Sequence, residues 1–134
     1  MKVRKDFVTN SSSSSFIIAR HKDCTKDEIK NMLCDLKEKI FKFIDSYDCE
    51  FDCKHYNEMK SAYDAGNMDE VIELAIEDLA SDLNRMSKYD MTLGDWTIRC
   101  TYVDSESCSL FSSVLYEFGH LIMDSEHLKL GSGD

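Results

Sequence analysis

Apolar residues recur at helical spacing in two long stretches of this chain. In the first, Ile29, Met32, Leu33, Leu36, Ile40, Phe43 and Ile44 advance mostly by threes and fours, the period of one helix face. Thr25-Lys26-Asp27-Glu28 stands before it as a capping box. The Thr25 hydroxyl accepts from the backbone of Glu28, and the Glu28 carboxylate reaches back. The spacing predicts a helix over 26–46, about 30 Å long at 1.5 Å per residue. In the second stretch, Val71, Ile72, Ala75, Ile76, Leu79, Leu83 and Met86 follow a second cap signal, Asn67 with Glu70 three residues on. That helix is expected to end near Lys88, where a base suits the C-terminal dipole. None of the 134 residues is proline, so no helix is broken from within. The length predicts one domain that buries roughly two-thirds of its unfolded surface.

The remaining segments are shorter. Ser15 to Arg20 is an apolar, β-branched run and reads as a buried strand. Asn57 to Ala65 reads as a short helix stopped by Gly66, and Asp90 to Gly94 as a turn. From Trp96 to Val103 the residues alternate. Trp96, Ile98, Cys100 and Tyr102 share one face, expected to be the buried one, and Thr97, Arg99 and Thr101 share the other. Leu110, Phe111, Val114, Leu115, Phe118, Leu121 and Ile122 fit another helix, with Gly119 its weak point. Glu126 to Leu130 reads as a last strand. The predicted class is α+β, about four helices packed on a small sheet of two or three strands. Residues 1–14 form a basic and polyserine arm, 15–130 the domain, and 131–134 a flexible tail.

The arm is basic, but no apolar stretch of signal-peptide length follows its Lys2, Arg4 and Lys5. A cytoplasmic location follows, with thiols kept reduced. Its string Arg4-Lys5-Asp6-Phe7-Val8-Thr9-Asn10, then five serines and Phe16, resembles a signature that opens many small proteins of bacteriophages and mobile elements. Those commonly read Arg-x-Gly-Phe-Val-Ser-Asn before the serines. Here Asp6 stands where glycine is usual, and Thr9 where serine is usual. The resemblance covers residues 1–18 and implies a mobile-element context.

Six cysteines and four histidines in a reducing compartment point to free thiols or a metal rather than to disulfides. Cys49-x3-Cys53-x-His55 is close to a zinc-finger spacing. Zinc takes four such ligands at about 2.0–2.3 Å. Cys24 or His21 could complete the set, though the long first helix separates them from the other three. Cys100, Cys108 and His120 are the distant alternatives. The competing reading leaves the thiols ordinary, with Cys34 and Cys100 as small buried hydrophobes.

Charge separates the function classes. The net charge of −10 disfavours nucleic acid and anionic membranes as partners. Residues 1–60 hold 11 acids and 12 bases, whereas residues 61–134 hold 15 acids and 4 bases. No base lies between Ser61 and Asn84, a stretch that carries Asp69, Glu70, Glu73, Glu77, Asp78 and Asp82. Glu70, Glu73 and Glu77 step by three and four, so they line one helical face with carboxylates about 5–6 Å apart. A carboxylate row of that kind can imitate a phosphate row in a basic groove. No phosphate-binding loop, nucleophile elbow or His-Glu-x-x-His occurs, so no enzyme is expected. The expected function is that of a small acidic cytoplasmic protein that inhibits a basic nucleic-acid-binding protein through this helix face. With the mobile-element context, it looks like the anti-CRISPR proteins, which implies a CRISPR effector as partner. The alternative is a zinc-stabilised structural or regulatory domain held by Cys49, Cys53, His55 and Cys24.

Overall fold

A computed structural model describes residues 13–46, 53–85, 87–104, 109–119, 121 and 125–132. The class is α+β, with five helices and four strands among these residues. In chain order they are β1 (Ser13–His21), α1 (Lys26–Cys34), α2 (Lys37–Ser46), α3 (Tyr56–Asp64), α4 (Met68–Leu83), β2 (Met91–Leu93), β3 (Trp96–Asp104), α5 (Leu110–Phe118) and β4 (Leu128–Ser132). The sheet is antiparallel throughout, in the order β2-β3-β1-β4.

The first apolar stripe is built by two helices instead of one. The chain turns tightly at Asp35 and Leu36, where the Leu36 N–H donates to the Leu33 carbonyl at 2.9 Å. Ile29, Leu33, Leu36, Ile40, Phe43 and Ile44 all remain buried across the break. The bend lets one continuous stripe follow α4, against which both α1 and α2 pack. A straight rod of about 30 Å would run past it. α4 is the central helix, touching α1, α2, α3 and α5.

Strand boundaries also move. β1 begins inside the serine run, where Ser13, Ser14 and Ser15 pair with Asp104, Val103 and Tyr102. Gly131 and Ser132, expected in a tail, pair with Ile17 and Phe16. Met91 to Leu93 forms a short strand where a turn was expected. Its hairpin to Trp96 closes through Gly94 at φ +62°, as a two-residue turn with glycine first requires.

The face of β3 is the reverse of the expected one. The register places Phe16, Ile18 and Arg20 opposite Thr101, Arg99 and Thr97. Phe16, Ile18, Arg20, Val103, Leu128 and Leu130 are buried, so this is the side beneath the helices. Two arginines on this side serve the end of α4, whose last carbonyls lack helical partners. Arg20 donates to the Leu83 and Arg85 carbonyls at 3.2 and 3.1 Å. Arg99 donates to the carbonyls of Asp82, at 3.2 Å, and Arg85, and to both Asp90 oxygens. The helix therefore ends at Leu83 instead of near Lys88, with sheet arginines supplying the positive charge its C-terminus favours.

Candidate functional site

The six carboxylates of the predicted acidic row do not share one open face. α4 is surrounded by other helices, so its acids are divided between solvent and internal partners. Asp69, Glu70 and Glu73 are exposed. Glu77 instead accepts from Lys26 at 2.7 Å and Lys30 at 2.5 Å, and these two ammonium groups hold its pKa down at about 2. Asp78 is buried and accepts the Lys54 backbone N–H at 2.9 Å. Asp82 lies 3.7 Å from Arg85. The exposed acids form a smaller group at the α3–α4 turn, where Asp64 joins Asp69, Glu70 and Glu73.

The predicted thiolate site is likewise not assembled among the described residues. Cys49, Cys108 and His120 lie outside them. Cys24 and Cys53 are half-buried against the core. His55 approaches Glu58 at 3.3 Å, and its Nε2 has no partner among the described residues. Cys24, Cys53 and His55 do not converge within ligand distance. Burial raises the Cys24 pKa, with Glu28 adding to the shift. Cys34 and Cys100, expected to be buried, are exposed.

The inverted register of β3 leaves an apolar face that no described element covers. Ile17, Ile98, Cys100, Tyr102, Met91 and Leu93 share the side of the sheet opposite the helices. Tyr102 is 71% exposed and Leu93 70%. Lys129 from β4, opposite Ala19, is a charged residue on this face. At about 4.8 Å between strands and about 6.8 Å between neighbours on one face of a strand, these six side chains cover about 200 Å² of sheet. A contiguous apolar group of this kind rimmed by polar residues marks a contact site.

At one end of this face, three chain segments meet. The His21 N–H donates to the His127 carbonyl at 2.8 Å, and the Lys22 N–H to the Asp95 carbonyl at 2.9 Å. The Cys24 N–H closes a turn onto the His21 carbonyl at 2.9 Å. Glu28 enters from α1. Thr25 caps that helix as expected, accepting the Glu28 N–H at 3.1 Å. The Glu28 carboxylate, however, does not reach back. It accepts from the Ser125 hydroxyl at 2.6 Å and the His127 N–H at 2.9 Å, and meets the His127 ring at Nδ1 at 2.7 Å. The Ser125 and His127 hydrogen bonds hold the Glu28 pKa down at about 2, and Glu28 raises that of His127. Ligand atoms of His21, Asp23 and His127 all lie within 4.8 Å of one another.

The sequence brought His21 to notice, as a possible companion of Cys24, but not Asp23 two residues on. His127 carried no comparable signal, because its partners are 99 positions away. Compared with known protein families, with curated proteins and with solved structures, the chain matches none. No described helix is long and apolar enough to cross a membrane.

Proposed function

We propose that this chain is a binding protein for a basic protein partner, and that it docks through the open apolar face of its sheet. The observation that carries this reading is the apolar face around Tyr102, Met91 and Leu93, which no described element covers because the described core lies on the other side of the sheet. Buried apolar area supplies affinity at about 25 cal/mol per Å² before ordering losses. Charge selects the partner. A body at −10 repels acidic proteins and speeds encounter with basic ones. Asp64, Asp69, Glu70 and Glu73 act in that steering from outside the contact. A basic nucleic-acid-binding protein such as a CRISPR effector fits this description. Inhibition would then follow from occlusion by the sheet face, with the acidic row reduced to a steering role.

The test compares proteins retained from a host lysate at low salt by the wild-type chain and by a Tyr102→Glu/Met91→Glu variant. Both positions are exposed, so folding is expected to survive, checked by circular dichroism. The expected result is a basic protein that elutes with salt, binds the chain again when purified, and is missing from the variant. An identical set of captured proteins would refute docking through the sheet. Retention that ignores salt would refute the charge argument.

A further inference from the structure

We propose that the corner where β1, α1 and the segment before β4 meet is a binding site for a divalent transition-metal ion, zinc by preference. His21, Asp23 and His127 would be its protein ligands, and Glu28 would position His127. This site is separate from the docking reading and does not depend on it.

The backbone already sets the spacing. The His21 N–H to His127 carbonyl bond fixes the two histidines side by side, with ring centroids 5.2 Å apart. The turn closed by the Cys24 N–H brings Asp23 back towards His21, so that Asp23 Oδ2 lies 3.7 Å from His21 Nδ1. Ligand atoms about 2.0–2.1 Å from a tetrahedral zinc are about 3.3–3.4 Å from one another. The His21–Asp23 distance is nearly there. The widest separation in the group, at most 4.8 Å, closes by side-chain rotation. Asp23 is 63% exposed and has room to make that rotation.

Glu28 supplies an independent observation. Its contact with His127 Nδ1 at 2.7 Å makes that nitrogen the proton-bearing one and leaves Nε2 with its lone pair. A carboxylate behind a ligating histidine does the same in metal sites, fixing the tautomer and raising ligand basicity. Glu28 is itself held by the Ser125 hydroxyl and the His127 N–H. On His21 the lone pair is at Nδ1, which accepts the Asp23 N–H at 3.1 Å, and an ion would take over that lone pair. Two imidazoles and one carboxylate are a borderline nitrogen and oxygen set, which suits zinc and its transition-metal neighbours. Calcium and magnesium prefer oxygen alone. Asp95 lies 3.9 Å from His21 Nε2. Together with Asp23 and Glu28 it surrounds the corner with negative charge. Three protein ligands leave a fourth position open for water or a partner's side chain.

The chain carries its own reporter. Its single tryptophan, Trp96, meets the His21 ring edge to face at 5.0 Å. The full chain, stripped with chelator, is titrated with Zn²⁺ while Trp96 fluorescence is followed, and with Co²⁺ while the visible spectrum is followed. Saturation at one ion per chain is expected. His21→Ala and His127→Ala should each weaken binding about 100-fold or more. Glu28→Gln should weaken it about 10- to 100-fold, as loss of an outer-shell carboxylate does. Asp23→Asn, at an exposed turn position, tests the site without disturbing packing and should also weaken it. Cobalt should give weak d–d bands with no thiolate charge-transfer band. The proposal is overturned if stripped protein takes up no zinc below millimolar concentration. It is equally overturned if Asp23→Asn and a folded histidine variant bind as tightly as wild type. An intense sulfur-to-cobalt band lost in Cys53→Ser would move the metal to the cysteines instead.

Discussion

Asp90→Ala should lower stability by about 3 kcal/mol, because it removes one partner of a buried ion pair. The Asp90 and Arg99 side chains are 4% and 12% exposed. They meet through two bonds, Nε to Oδ1 at 3.0 Å and Nη2 to Oδ2 at 3.3 Å. Asp90 Oδ2 also accepts the Ser87 N–H at 2.9 Å. Removing one partner of a buried pair costs about 3–5 kcal/mol, because the other charge stays desolvated. Arg99 retains its carbonyl partners at the end of α4, which places the loss near 3 kcal/mol, the low end of that range. At about 2.1 cal/mol/K per residue, 134 residues give an unfolding entropy of about 0.28 kcal/mol/K, so Tm should fall by about 11 °C. Calorimetry of wild type, Asp90→Ala, Arg99→Met and the double variant measures the loss and the coupling together. Arg99 holds the Asp90 carboxyl below its usual range. The stabilisation is therefore present above the unfolded carboxyl value of about 3.9 and disappears as pH falls below it. A Tm drop under about 3 °C at neutral pH, or additive single effects, would refute the pair as a source of stability.

Two further outcomes follow from packing and protonation. A Cβ at Gly119 would lie 2.5 Å from both the Leu115 carbonyl oxygen and Phe16 Cε1. Gly119→Ala should therefore destabilise by about 1–2 kcal/mol despite alanine's better helix propensity, and Phe16→Leu in the same chain should recover part of the loss in urea melts. The Glu28–His127 pair should give a stability plateau between about pH 4.5 and 6.5. The lowered Glu28 pKa gives stability above its unfolded value that is lost as pH falls towards about 2. The raised His127 pKa gives stability below 6.5 that is lost as pH rises through its folded value. Ser125, Glu126 and Asp23 also face this pair. Tm measured from pH 3 to 9 should show the plateau in wild type, and one that persists in Glu28→Gln would reject the assignment.

The helical stripes were legible because burial repeats with the helix period whatever the partner. Ile29, Leu33, Ile40, Val71, Ala75 and Leu79 are all buried. The break at Asp35 and Leu36 was not legible, since no proline or glycine marks it and the stripe runs through it. The alternation of β3 was legible too, but not its direction. Hydropathy places Trp96, Ile98, Cys100 and Tyr102 inside. The strand faces the other way because Arg99 finds Asp90 and helix-end carbonyls there, a meeting set by how α4 folds back onto the sheet and not by the alternation of β3 itself. The acidic row shows the same limit. Its spacing was visible in α4, whereas the lysines that occupy Glu77 belong to α1, 47 and 51 positions earlier. The Cys49, Cys53, His55 and Cys24 set rested on spacing alone. The converging set uses His127, whose place beside His21 is decided by strand pairing.

Strand order also governs how this domain comes together. β1 sits between β3 and β4, and its first rung joins Ser13 to Asp104 across most of the chain. The hairpin between β2 and β3, and the turns between successive helices, join neighbours in sequence and can close early. The central strand cannot, because each of its ladders closes a loop of roughly 75 residues or more, an entropic loss that precedes any reward from pairing. During synthesis β1 leaves the ribosome before β3 and β4 and must wait with unpaired backbone until they emerge. Serines at its leading end keep that waiting segment hydrated, so the polar stretch that looks least like a strand guards the strand that waits longest.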